Sequence, residues 1–265
     1  MTKTRGTMLA VAVLAGVSIG FWQAQRVRQR QTRVALLAEL QPVVLKNCIL
    51  KRFGSVNDGG YLLCDNLSEG IASAYSYGVG LNDEFGCDVA KRWGVAVHQY
   101  DCFDPGRPKC DGGRFVFHNE CIGPRPERDE NRRVFDTLQN QISKNLDSGK
   151  RLIVKIDVEG AEWDSLLATP DAVFDQIDQM PMELHGANEQ RFLEVVRRLK
   201  QRFYLVNLHF NNHSCMPELA PIPAWAYQVL WVNKRIGIVD ESAPIPAPVS
   251  ALNAPDGPGV PDCQL

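Results

Sequence analysis

Asp157 and Glu159 close the apolar run Arg151-Leu-Ile-Val-Lys-Ile-Asp157, and Gly160 and a helical pattern follow them. Such a run reads as a buried parallel strand, and carboxylates released at its C-terminal end sit where open α/β sheets put their ligand chemistry. Two residues apart in an extended segment, the two acids point to one side. There they can hold a metal, act as a base or bind a ligand's ammonium group. Met180-Pro-Met-Glu-Leu-His185 also ends polar, with Glu183 and His185 on one face, and Leu205-Val-Asn-Leu-His-Phe210 carries His209. Adjacent strand ends are thus expected to gather Asp157, Glu159, Glu183, His185 and His209 around one crevice, a set suited to acid–base work. His185 and His209 are the first candidates for a catalytic base and Asp157 the next. Glu159 and Glu183 are candidates for substrate or metal contact, although no metal is expected.

A second group lies upstream. Tyr75-Ser-Tyr-Gly-Val-Gly80 ends one strand pattern, and a helix starts near Glu84. Gly78 and Gly80 at that turn allow close backbone approach, and the helix start offers free N–H groups. The full G-x-G-x-x-G spacing is absent, and Asp83 and Glu84 suit a ligand with a cationic portion better than a pyrophosphate. Val95-Ala-Val-His-Gln-Tyr100 runs into Asp101, the position from which an acid accepts ribose hydroxyls. Phe115-Val-Phe-His-Asn119 closes the next strand, so His118 and Asn119 are placed near a base. A glycine turn with an acid one strand away points to a nucleoside. No G-x-x-x-x-G-K-[ST] occurs, which disfavours phosphoryl transfer.

The elements that must position these residues alternate. Strand patterns fall at 72–78, 95–100, 114–118, 151–157, 177–185, 203–210 and 226–233, and helical ones at 84–93, 130–147, 161–168 and 188–201. Phe192, Val195, Val196 and Leu199 make the clearest apolar stripe. The alternation predicts an α/β fold, a Rossmann-like, mostly parallel sheet with helices on both faces. Lys51–Cys64 reads as a hairpin turning at Asn57-Asp-Gly-Gly60.

At 265 residues and 45% hydrophobic composition, one substantial core is affordable. Net charge is −2 with no central basic stripe, so nucleic acid is not an expected partner. Residues 1–25 are apolar enough to predict an N-terminal membrane anchor, and 26–45 a basic juxtamembrane helix. The arginines at 26, 28, 30 and 33 keep the following domain cytoplasmic by the positive-inside rule; the alternative is export on a cleaved signal. That localisation leads us to expect reduced thiols among the eight cysteines, which contain no Cys-x-x-Cys. The central domain is expected over 46–238, and 239–265 as a Pro-rich disordered tail.

The central block resembles class I S-adenosylmethionine-dependent methyltransferases. Lys155-Ile-Asp-Val-Glu-Gly-Ala-Glu162 resembles the FkbM-type signature, and Gly54…Asp58-Gly-Gly-Tyr61, Tyr77-Gly-Val-Gly80, Asp157-Val-Glu-Gly-Ala-Glu-Trp163 and Glu183-Leu-His185 resemble the methyltransferase-like protein 24 family. The resemblance spans about 46–235. It implies S-adenosyl-L-methionine as cofactor, with Gly78 and Gly80 along its methionine part, Asp101 on its ribose and Asn119 near its adenine. It places Asp157 at the cofactor's methionine end or at the substrate, and its ammonium on Asp157 or Glu84, since Ser76 stands where an acid often precedes the glycines. The implied reaction is O-methylation of a small-molecule, sugar or lipid-linked acceptor. The alternatives are a metal-dependent nucleotide-sugar transferase and a non-catalytic, membrane-tethered binding protein on the same fold.

Overall fold

The computed structural model describes residues 4–104, 106–244, 246 and 252–263; of 4–21 it describes the backbone alone. Helix α1 (Thr4–Glu39) leads into a hairpin of β1 (Leu50–Gly54) and β2 (Gly60–Cys64). Then come β3 (Ser73–Tyr77), α2 (Glu84–Trp93), β4 (Ala96–Tyr100) and β5 (Arg114–His118). A small sheet follows from β6 (Cys121–Ile122), β7 (Glu127–Arg128) and β8 (Val134–Asp136). The chain continues through α3 (Leu138–Lys144), β9 (Leu152–Ile156), α4 (Glu162–Ala168), α5 (Asp171–Gln176) and β10 (Ile177–His185). It ends in α6 (Gln190–Arg202), β11 (Phe203–Phe210) and β12 (Ala226–Asn233).

Seven strands form one sheet in the order β11-β12-β10-β9-β3-β4-β5. β12 runs antiparallel to both its neighbours, and β10, β9, β3, β4 and β5 are mutually parallel. From β3 the chain steps outward through β4 and β5, then returns to β9 on the other side of β3. That reversal opens a crevice beyond the carboxyl ends of β3 and β9. All five residues of β9, Leu-Ile-Val-Lys-Ile, are buried, as a central strand covered on both faces requires. One face is covered by α3 to α6 and the end of α1, through Leu36, Leu138, Trp163, Phe174, Phe192 and Leu199. The other is covered by α2 and the hairpin, through Phe53, Tyr61, Leu63, Phe85 and Val89. Each such side chain contributes about 1.5–3 kcal/mol when fully buried, so the strands carrying the crevice sit on the most stable part of the molecule.

Several expectations change. Among the described residues no helix is long and apolar enough to cross a membrane, which overturns the membrane helix expected at 1–25. The side chains of 4–21 lie outside the described residues, and the arginines at 26, 28, 30 and 33 continue the same helix α1 rather than a separate juxtamembrane one. The last turns of α1 belong to the domain. Leu36 and Leu40 are buried, Glu39 pairs with Arg197 and Lys200, and Arg33 donates to Asn188 and to the carbonyls of Ala220 and Glu218. The helix expected at 130–147 shortens to α3, because Arg132 takes a positive φ of 65° and β8 pairs with β6 and β7. The eight cysteines, expected as thiols, form four disulfides: Cys48–Cys64, Cys87–Cys110, Cys102–Cys121 and Cys215–Cys263.

Of the tail expected to be disordered, 239–244, 246 and 252–263 are described, and the last piece is held to the domain by hydrogen bonds. Asn253 and Asn207 exchange side-chain amide hydrogen bonds at 3.0 Å. Asn57 donates to the Pro255 carbonyl, Gln228 to Asp256, and Asn212 to the carbonyls of Gly257 and Val260. Proline removes donors but leaves carbonyls, and here amide side chains supply the missing partners.

Candidate functional site

Three strand ends build the crevice. Gly78 N–H donates to the Tyr100 carbonyl and Asp157 N–H to the Tyr77 carbonyl, so the parallel ladder continues past β3, β4 and β9 to the residues that matter. Gly78 has φ +71°, and a Cβ there would lie 1.7 Å from the Asp157 carbonyl oxygen. Glycine is required at 78 by the neighbouring strand, not by a ligand. Gly80 has φ +52°, and a Cβ there would meet open space. Only Gly80 leaves room on the cavity side.

A cavity of about 580 Å³ opens beside this turn. It is lined by Gly78, Gly80, Asp101, Asp157 and Glu159, with Tyr100, Phe103, Ile122 and Phe135 as its apolar walls. The small β6–β8 sheet thus supplies one wall, and the Cys102–Cys121 disulfide ties that sheet to the end of β4. Asp101 is buried and accepts three backbone N–H groups: Gly80 at 3.0 Å, Phe103 at 2.9 Å and Asp104 at 3.0 Å. Oδ1 accepts two of these and Oδ2 one, so Oδ2 keeps a further lone pair for a ligand hydroxyl.

A second cavity of about 280 Å³ lies on the other side of the glycine turn, where Asp58, Asp83, Glu84, Lys155 and Asp157 are among its lining residues. Asp157 is common to both. Glu84 is exposed, accepts from Asn82 at 2.9 Å and lines this second cavity alone. Asp83 caps α2 by accepting from Gly86 at 2.8 Å and also accepts from Gln99, so its role is structural. Asn119 is exposed beyond β5 and lines neither cavity. His118 stacks on Tyr100 with ring centroids 4.4 Å apart, behind the cavity wall.

Asp157 has partners that sequence reasoning missed. Tyr61, delivered by the hairpin, donates its hydroxyl to Asp157 Oδ2 at 2.7 Å. Lys155 is buried; its Nζ donates to the carbonyls of Tyr77 and Gly78 at 3.0 and 2.9 Å and lies 3.4 Å from Asp157 Oδ2. Both residues stand inside the quoted motifs, Asp58-Gly-Gly-Tyr61 and Lys155-Ile-Asp157, which was the available signal. Burial holds the Tyr61 hydroxyl well above the usual phenol range, and Asp157 adds to it, so Tyr61 stays a donor.

His185 lies at the end of β10 beside Asp157. Its Nδ1 is 3.2 Å from Glu162 Oε1, which also accepts the His185 backbone N–H at 2.7 Å. Its Nε2 lies 3.5 Å from Glu159, 3.7 Å from Glu183 and 3.9 Å from Asp157. Burial lowers the imidazole pKa, but Glu162 and the other carboxylates outweigh it and the pKa is raised. Glu183 accepts from Asn211 at 2.8 Å, and burial followed by the charge of Asp157 pushes its carboxyl well up. Glu159 adopts φ +54° in the turn, so it is not in the extended segment expected; its side chain is largely exposed and bends back toward His185.

His209 is not brought to the crevice. It pairs with Gln228, which pairs with Glu183, placing it two strands away. It is 1% exposed, lies 3.8 Å from Asp256 and is covered by the C-terminal segment. The site therefore unites Gly78, Gly80, Asp101, Asp157, Glu159, Glu183 and His185 of the expected set, adds Tyr61, Lys155 and Glu162, and excludes His209 and Asn119. No family model matches the chain, and no curated protein matches it.

Proposed function

We propose that this chain is an S-adenosyl-L-methionine-dependent methyltransferase acting on a hydroxyl of a small-molecule, sugar or lipid-linked acceptor. The observation that carries the reading is the 580 Å³ cavity at the sheet's switch point, which joins Asp101, Gly80 and Asp157 to apolar walls. In this reading the adenine lies against Tyr100, Phe103, Ile122 and Phe135, and a ribose hydroxyl reaches the free lone pair of Asp101 Oδ2. The methionine end extends past Gly80 toward Asp157 and the neighbouring cavity, whose acids at 58, 84 and 157 suit an ammonium group. The cofactor supplies an electrophilic methyl group. The protein's work is alignment and, for a hydroxyl acceptor, proton removal. Asp157 is the base this geometry offers, because it faces both cavities, whereas His185 is ringed by carboxylates that hold its proton.

The test is calorimetric titration of S-adenosylmethionine and its demethylated product into the full chain and into Asp101→Asn. Micromolar binding weakened at least tenfold in the variant is expected, about 1.4 kcal/mol. No heat from folded wild-type protein would end this reading. The carboxylate–histidine cluster favours one alternative, a metal-dependent nucleotide-sugar transferase, which would bind a nucleotide sugar with Mn²⁺ and ignore S-adenosylmethionine. The four disulfides favour an oxidising compartment over the cytoplasm as the place of action.

A further inference from the structure

Asp157, Glu183 and His185 each have one polar atom held by an outer partner and one left over. Asp157 Oδ2 accepts the Tyr61 hydroxyl, leaving Oδ1. Glu183 Oε1 accepts from Asn211, leaving Oε2 on a side chain that is only 7% exposed. His185 Nδ1 is engaged by Glu162, leaving Nε2. These three remaining atoms face one another, with Nε2 at 3.9 Å from Oδ1 and 3.7 Å from Oε2, and all ligand atoms of the set lie within 4.8 Å.

Those separations are too long for hydrogen bonds. They match two ligands of a single ion, since atoms each about 2.1 Å from a metal stand roughly 3.0–4.2 Å apart. Glu162 on Nδ1 keeps the ring turned so that Nε2 faces the carboxylates, and a cation entering there would displace the Nε2 proton to solvent. We propose that Asp157, Glu183 and His185 are the protein ligands of a divalent-cation centre at the carboxyl ends of β9 and β10. One imidazole with two carboxylates suits a first-row ion such as Mn²⁺ or Zn²⁺ better than Ca²⁺. Three protein ligands leave positions open. Glu159, on the rim with its carboxylate 3.5 Å from Nε2, is the group that a bound acceptor oxygen would replace or accompany. Binding at this centre requires no cofactor, so its test is separate from that of the methyltransferase reading, although an ion held by Asp157 would replace the base role given to that residue above.

The experiment is titration of Mn²⁺ into chelator-washed full chain without S-adenosylmethionine, followed by calorimetry and by pulsed electron paramagnetic resonance of the bound ion. We expect one ion per chain at micromolar affinity, with nitrogen modulation from a coordinated imidazole. Glu183→Gln and His185→Gln should each weaken binding at least tenfold, and Zn²⁺ should displace the Mn²⁺. No uptake by folded wild-type protein up to millimolar Mn²⁺ would overturn the proposal. So would uptake that shows no nitrogen modulation and is unmoved by His185→Gln. The wild-type spectrum decides the matter even if a variant fails to fold.

Discussion

Gly78 and Gly80 stand two residues apart in one turn, yet physical chemistry assigns them different duties. At Gly78 both the backbone angle and the space forbid a side chain, because the Asp157 carbonyl occupies the Cβ position. At Gly80 only the angle objects. Gly78→Ala should therefore cost on the order of 4 kcal/mol or more and take the chain below stable folding. Gly80→Ala should cost about 1–2 kcal/mol, the penalty of a left-handed backbone on a residue with a Cβ, and leave a folded protein. Urea denaturation of the two variants checks this, and equal losses would contradict the assignment. The sequence displayed both glycines as one feature, since spacing does not reveal which neighbour presses on which residue. The same blindness let Asp101 read as a ribose acceptor, when it also holds two backbone amides of its own loop and that of Gly80 in the glycine turn. The acids at 157, 159 and 183 and His185 were legible because residues ending adjacent parallel strands must converge. Tyr61 was not: it reaches Asp157 from a hairpin nearly a hundred residues away in sequence.

Among the elements, legibility followed the source of each one's stability. β5, β10, β11, β12 and α2 fall on the limits expected from pattern alone, and β3, β4 and β9 differ by single residues at their ends. These are buried runs or strong amphipathic stripes, whose own residues dictate the state. The small β6–β8 sheet, α5 and the packed C-terminal segment carry no such period; each is held by contacts with parts of the chain remote in sequence. The C-terminal segment is the clearest case. Its prolines exclude a ladder, so it is retained by amide side chains and by the Cys215–Cys263 disulfide. Pairing among eight cysteines cannot be derived from their spacing. Replacing Cys215 and Cys263, 48 residues apart, by Ser should cost about 2–4 kcal/mol and release residues 252–263. Hydrogen exchange should then rise across 252–263 and stay low in β3 and β9. Unchanged protection of the segment would mean that the amide contacts alone retain it. Since this segment covers His209 and touches Gln228, its release should also expose His209 without disturbing Asp101.

Across the whole molecule, buried imidazoles set opposing responses to pH. Burial holds His98 down to about 4 despite the nearby Asp147 carboxylate, and lowers His118 and His209 as well. In the unfolded chain all three titrate near the ordinary value of about 6.5. Between that value and about 4 the unfolded state binds more protons than the folded one, so stability falls as pH falls through this window. Two buried acids and His185 act the other way. Asp256 is raised to about 6 by burial and by Asp58, and Glu183 and His185 are raised too, so each loses its contribution as pH rises through its own folded value. The fold is therefore squeezed from both sides, with its acid limb owed in part to His98. That residue stacks on Tyr75 at 5.0 Å, so His98→Phe keeps the ring contact while removing the titration. The urea midpoint of the wild-type chain should drop between pH 7 and pH 4.5 by more than that of His98→Phe. Equal drops would place the acid sensitivity elsewhere, on carboxylates such as Asp147 whose pKa the fold lowers through Ser73, Lys150 and Tyr75 even against burial.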